Sequence, residues 1–90
     1  MKDTVTWLAE KTPAERCCTI IRVRLNDISR QIEKLGGENC LDKNSWLAGE
    51  IIANFEFLKE RMKDLRISKE VLSANGIDFK KFRTYYFAAL

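Results

Sequence analysis

The sequence predicts an all-α protein: an antiparallel hairpin of two long helices, over about 13–35 and 45–66, with shorter N- and C-terminal helices packed on it. Two apolar series and one break predict it. Cys18, Ile21, Leu25, Ile28, Ile32 and Leu35 recur at alternating spacings of three and four residues, and Ala48, Ile51, Phe55, Leu58, Met62 and Leu65 repeat that spacing. Each series lines one face of a helix and requires a helical partner. Gly36-Gly37 lies between them and lets the chain fold back, so each seam meets the other.

The elements follow in order. Asp3 or Thr4 caps a short first helix reaching about Lys11, whose apolar side is Val5, Trp7 and Leu8; Ile20 and Val23 on the next helix are its expected seat. Thr12-Pro13-Ala14-Glu15 joins a capping box to a proline at the first helical position, and starts the first long helix. Gly36 ends it in the left-handed conformation. Residues 37–43 form a loop, after which Asn44 or Ser45 caps the second long helix. On that helix Glu56 with Lys59, and Glu60 with Lys63, are expected as favourable pairs one turn apart. Ser68 caps a short helix through Ala74, Asn75-Gly76 turns the chain, and Asp78 starts a last helix from Phe79 to about Ala88. Trp46, Ala53 and Phe57 lie off the second seam, where the aromatic C-terminus is expected to cover them as core. Left uncovered, they would mark a partner site.

Length and charge bound the function. Ninety residues suit a single helical domain, 1–90, with one core and no deep preformed cavity. Sixteen basic residues against thirteen acidic ones leave +3, which permits contact with nucleic acid without requiring it. Residues 67–90 carry four basic and two acidic side chains, so the excess concentrates at the C-terminus. No apolar run approaches the ~20 residues of a membrane span, and the opening residues lack the apolar core of a signal peptide. The sequence therefore reads as a cytoplasmic protein without membrane contact. Cys17, Cys18 and Cys40 read as free thiols in a reducing compartment, because the first long helix carries the chain about 26 Å from Cys18 to Leu35 and Cys40 sits beyond that far end, out of disulfide reach.

The chemistry of catalysis is thin. With no histidine, the commonest general base and metal ligand is missing. Three cysteines cannot fill an ordinary four-ligand zinc site, and adjacent Cys17 and Cys18 project about 100° apart on a helix. Glu56 and Glu60 share a helical face but alternate with lysines as a solvated face does, and Gly36-Gly37 lacks the further glycines of a phosphate-binding loop. No catalytic residue, metal or cofactor is expected, and no enzyme.

One segment carries a functional resemblance. Ser68 to Phe87 resembles a helix-turn-helix unit: a short helix, a turn at Asn75-Gly76-Ile77, then a second helix in the position of a recognition helix. Val71, Ile77 and Phe82 fall where such units bury apolar residues, and Gly76 falls at the turn glycine. Leu72 and Asn75 depart from the pattern, which has a small residue and an apolar one there. The resemblance implies that Lys80, Lys81, Arg83 and Thr84 meet DNA, with cations on phosphates and Arg83 at a guanine edge.

Two kinds of partner follow. The leading expectation is a small binding protein that acts stoichiometrically on a protein partner, as regulators, adaptors and phage-type inhibitors do, through Arg22, Arg24, Trp46, Phe57 and Tyr85. Arg22 and Arg24 belong to an arginine row that includes Arg16 and Arg30, and they are expected to flank the seam and pair with acids on the second long helix. The alternative is a DNA-binding regulator using residues 68–87 as a homodimer whose long helices supply the interface. Seams that pair between chains rather than within one would make a structural subunit instead.

Overall fold

The computed structural model describes residues 12–90, and over them the chain is all-α. Helix α1 spans Pro13–Leu35, α2 Trp46–Leu65, α3 Lys69–Ala74 and α4 Phe79–Ala89, with a 3-10 turn at Glu38–Cys40. There is no strand among the described residues. The expected helix before Lys11, with Trp7 and Leu8, lies outside them.

Each boundary has a local cause. The Thr12 hydroxyl accepts from the Glu15 N–H at 3.2 Å and Pro13 occupies the first turn, so α1 begins where its missing N–H costs nothing. Gly36, at φ 102°, ends the helix: its N–H donates to Glu33 O, and the Gly37 N–H donates to Ile32 O. This pair of bonds satisfies carbonyls left over at a helix end. Ser45 caps α2 by accepting from the Ala48 N–H at 3.2 Å. Arg66, at φ 54°, closes α2 as the one left-handed residue besides glycine among the described residues, and Ile67 follows it into the core.

The two seams meet as the spacing predicts. Cys18, Ile21, Leu25, Ile28 and Ile32 are buried against Ala48, Ile51, Phe55 and Leu58. Met62 and Leu65 pack on the edge of this core rather than within it. Leu35 departs from expectation and is 47% exposed, because the chain turns away at Gly36 before α2 can cover the last turn. Ile20 and Val23 are exposed as well.

Two polar residues, Ser29 and Asn54, are buried beside the seams among the described residues, and Asn54 links the helices. It is buried, accepts from Arg24 Nη1 at 2.7 Å and donates through Nδ2 to the Glu50 carbonyl at 2.7 Å. The bond ties α1 to α2 at one register, which an apolar seam alone sets less sharply. Asn54→Ala is expected to cost about 1–2 kcal/mol, since it removes the bond and leaves a void. Asn54→Leu should fall within about 1 kcal/mol of the parent, because exposed Arg24 returns to water and no buried polar atom is stranded. Urea denaturation of the two variants measures the difference.

The thiols divide the same way. Cys17 and Cys18 are buried in the seam and Cys40 is exposed; all three are free. Burial pushes both seam thiols above their ordinary value of 9.0. The unfolded chain therefore loses those protons first, so their effect on stability is flat below about pH 9 and destabilising as pH rises beyond it. Ellman's reagent should titrate one thiol per native chain, Cys40, and all three only after unfolding.

Helix α4 completes the core from the other side. Phe55 of α2 faces Phe82 edge-on with ring centres 5.3 Å apart, and it lies 4.4 Å from Tyr86 and 5.5 Å from Phe79. Phe82, Tyr85 and Ala89 are buried. The 3-10 turn packs against both α1 and α4, and the Arg22 guanidinium donates to the Asn75 carbonyl at 3.1 Å, binding the α3–α4 turn to α1.

Candidate nucleic-acid interface

The α3–turn–α4 unit is assembled by its own short-range chemistry. Ser68 accepts from the Val71 N–H at 3.2 Å and starts α3. The helix ends through Gly76, at φ 77°, with Gly76 N–H donating to Ser73 O and Ile77 N–H to Leu72 O. Leu72 and Ile77, both buried, are the apolar pair that accompanies such an ending. A side chain at Gly76 would meet Arg22 Cδ at 3.3 Å, so glycine also permits the close approach of α1. Asp78 then accepts from the Lys81 N–H at 3.0 Å and begins α4.

Of the three apolar positions on which the helix-turn-helix resemblance rests, two are buried and one is not. Ile77 and Phe82 are buried as that pattern requires, but Val71 is exposed and Leu72 takes its place in the core. The short helix α3 turns Leu72, not Val71, into the core.

The outward face of α4 is cationic. Lys80, Lys81, Arg83 and Thr84 are all exposed, opposite the buried face of Phe82, Tyr85 and Ala89. The Thr84 hydroxyl donates to the Lys80 carbonyl at 3.0 Å and keeps its lone pairs outward. None of these three cations makes an ion pair among the described residues, and neither does Lys59 of α2 or Lys69 of α3. Lys69 Nζ stands 5.1 Å from the Phe79 ring centre and Lys81 Nζ 5.9 Å from that of Tyr85. From Lys59 to the C-terminus the chain holds eight basic side chains and four acidic ones, whereas the residues before it hold eight and nine. The whole net charge therefore arises from the last part of α2, from α3 and from α4.

Lys80, Lys81 and Thr84 line a cleft together with Glu38 and Asp78, and two further clefts on this face share Lys69, Phe79 and Arg83. The first of these two, between α3 and α4, adds Lys80, Ser73 and the capping Asp78. The second, between α2 and α4, adds Lys59, Tyr86 and Phe87 and has no acidic residue in its lining. Lys59 and Lys69 were not legible as members of the site, since 10 residues separate them in sequence and only the chain reversal at Arg66 joins them. Lys59 and Lys63 were instead expected to pair with Glu56 and Glu60. Those pairs do not form: Glu56 accepts from the Tyr86 hydroxyl at 3.4 Å, and Glu60 lies 3.7 Å from Arg61.

The residues expected at a protein partner are dispersed. Tyr85 is buried, because it projects on the same side of α4 as Phe82 and Ala89. Arg22 and Arg24 are engaged inside the fold, with a backbone carbonyl and the Asn54 amide rather than with acids on α2. Trp46 and Phe57 are exposed, at 76% and 40%. The C-terminal helices do not cover them: α4 seats on Phe55, which points about 200° away from Phe57 around α2. Exposed Gly49 and Ala53 lie between the two aromatics on that face, which extends about 16 Å.

No histidine is present, and no group of three or more Cys, Asp or Glu side chains among the described residues could hold a metal ion. Among those residues no helix is long and apolar enough to cross a membrane. No protein-family model, curated protein or solved structure matches the chain.

Proposed function

We propose that the protein is a small non-enzymatic binding protein whose macromolecular partner is DNA, engaged through the outward face of α4 and the α3–α4 turn. The observation that carries this reading is a group of cations that make no ion pair among the described residues: Lys59, Lys69, Lys80 and Arg83 line two adjoining clefts between α2, α3 and α4, and Lys81 stands next to Lys80 on α4. Cations that make no ion pair remain available to phosphates, and a helix with its opposite face in the core is presented rigidly to a groove. Arg83 and Thr84 are the side chains for base edges, and the lysines are for the backbone. The chain regulates by occupying its site; with no histidine it lacks the commonest general base.

Titration of a labelled duplex at two salt concentrations tests the reading. Three to five phosphate contacts give a slope of log K against log salt of about −2.7 to −4.5, and a dimer doubles it. Indifference to duplex at low salt removes the reading.

A second reading, a protein partner, is favoured by one observation: the uncovered stripe from Trp46 to Phe57 on α2. Aromatic side chains at such exposure are frequent anchors of protein interfaces. Affinity capture with the parent chain and with Trp46→Ala separates the two readings, because a protein partner held by the stripe is lost from the variant while DNA binding persists.

A further inference from the structure

The cleft between α2 and α4 sets three aromatic rings of α4, which the duplex reading does not use, beside three of the cations that it does. Its volume is about 410 Å³, and around it stand three cations, Lys59, Lys69 and Arg83, with the rings of Phe79, Tyr86 and Phe87. No carboxylate lines it. Phe79 and Tyr86 are half-buried against Phe55, but Phe87 is 62% exposed, with its ring centre 5.8 Å from that of Tyr86. Arg83 lies one turn before Phe87 on the same side of α4. A flat cation and an open ring thus border one another on the wall of a small cleft.

We infer that this cleft takes an unpaired nucleotide, its base stacked on Phe87 beside the Arg83 guanidinium and its phosphates met by Lys59 and Lys69. The inference rests on the DNA reading and names the state of the strand it prefers. Three cations without a counter-charge call for an anionic ligand, and the exposed ring calls for a planar one. A nucleotide carries both in one unit. Inside a duplex both faces of a base are already covered by its neighbours, so an aromatic platform gains contact only with a base that has left the stack. Lys80, Lys81 and Thr84, outside this cleft, remain on the duplex beside it.

The test compares a blunt duplex with the same duplex carrying a short bubble of unpaired thymines, both titrated with the full chain by fluorescence anisotropy. The bubble is expected to bind about tenfold tighter or better, the effect of stacking one base on an aromatic ring. Phe87→Leu keeps the apolar bulk but has no ring, so it should bring the bubble down to the affinity of the blunt duplex. Equal affinities of the parent chain for the two DNAs overturn the inference and leave the duplex reading standing. A bubble preference that persists in Phe87→Leu also overturns it, since the base then stacks elsewhere. So does release of the bubble by polyglutamate at matched charge, which marks the cleft as a site for any polyanion, acidic protein segments included. Absence of binding to either DNA at low salt removes the inference together with the reading beneath it.

Discussion

Phe82→Ala is expected to lower stability by about 3–5 kcal/mol, the cost of deleting a fully enclosed aromatic ring. Phe82 has no exposed surface and meets Phe55 edge-on, so its ring is the most deeply buried of the three α4 rings that pack on Phe55. A chain of this size has a total stability of roughly 5–13 kcal/mol, and the loss is a large share of it. Urea denaturation should show a midpoint displaced far downward, with DNA binding lost at denaturant concentrations the parent tolerates. Phe87→Ala, five residues further on and exposed, should change stability by no more than about 0.5 kcal/mol. Equal effects of the two substitutions would mean that α4 is not seated through Phe82.

The double reversal Lys80→Glu with Arg83→Glu is expected to weaken duplex binding by about a hundredfold or more, as two cations near phosphates become two repelling anions. Both side chains are exposed and neither makes an ion pair, so the melting temperature should be almost unchanged. Lys34→Glu, in the last turn of α1, reverses one charge away from this face and should change affinity only slightly. A loss as large for Lys34→Glu would assign the binding to net charge rather than to α4. An unchanged affinity for the double reversal would move the interface off α4 altogether.

Much of the scaffold under these two experiments is legible before any coordinates. The alternating three-and-four spacing, the box at Thr12-Pro13-Ala14-Glu15, and the stops at Gly36 and Gly76 place all four described helices to within about one residue. Capping and periodicity act within a few residues, so they are written locally. The candidate face was legible in part. Lys80, Lys81, Arg83 and Thr84 could be named because each lies on the outer side of a helix whose inner side is apolar.

Other assignments depended on what the helices meet. Tyr85 and Phe87 are both aromatic and two residues apart, yet one is buried and the other open, since only one side of α4 faces α2 and the 3-10 turn. Lys59 was expected to pair with Glu56 along its own helix. Instead Glu56 turns to Tyr86 across the fold, and Lys59 is left beside Lys69. Arg22 was expected to pair with acids on α2 or to meet a protein partner, and the α3–α4 turn instead brings the Asn75 carbonyl to it.

The amino-acid order settles where each helix begins and ends and which side of it is apolar, because caps, glycine stops and a helical period are properties of neighbours in the chain. Which apolar residues are covered, which cations keep their charge free, and that Lys59, Lys69 and Arg83 border one cleft follow from how α4 comes down on α2. Those are relations between residues far apart in the chain, and an i-to-i+4 pattern carries no record of the neighbour that a distant turn will deliver.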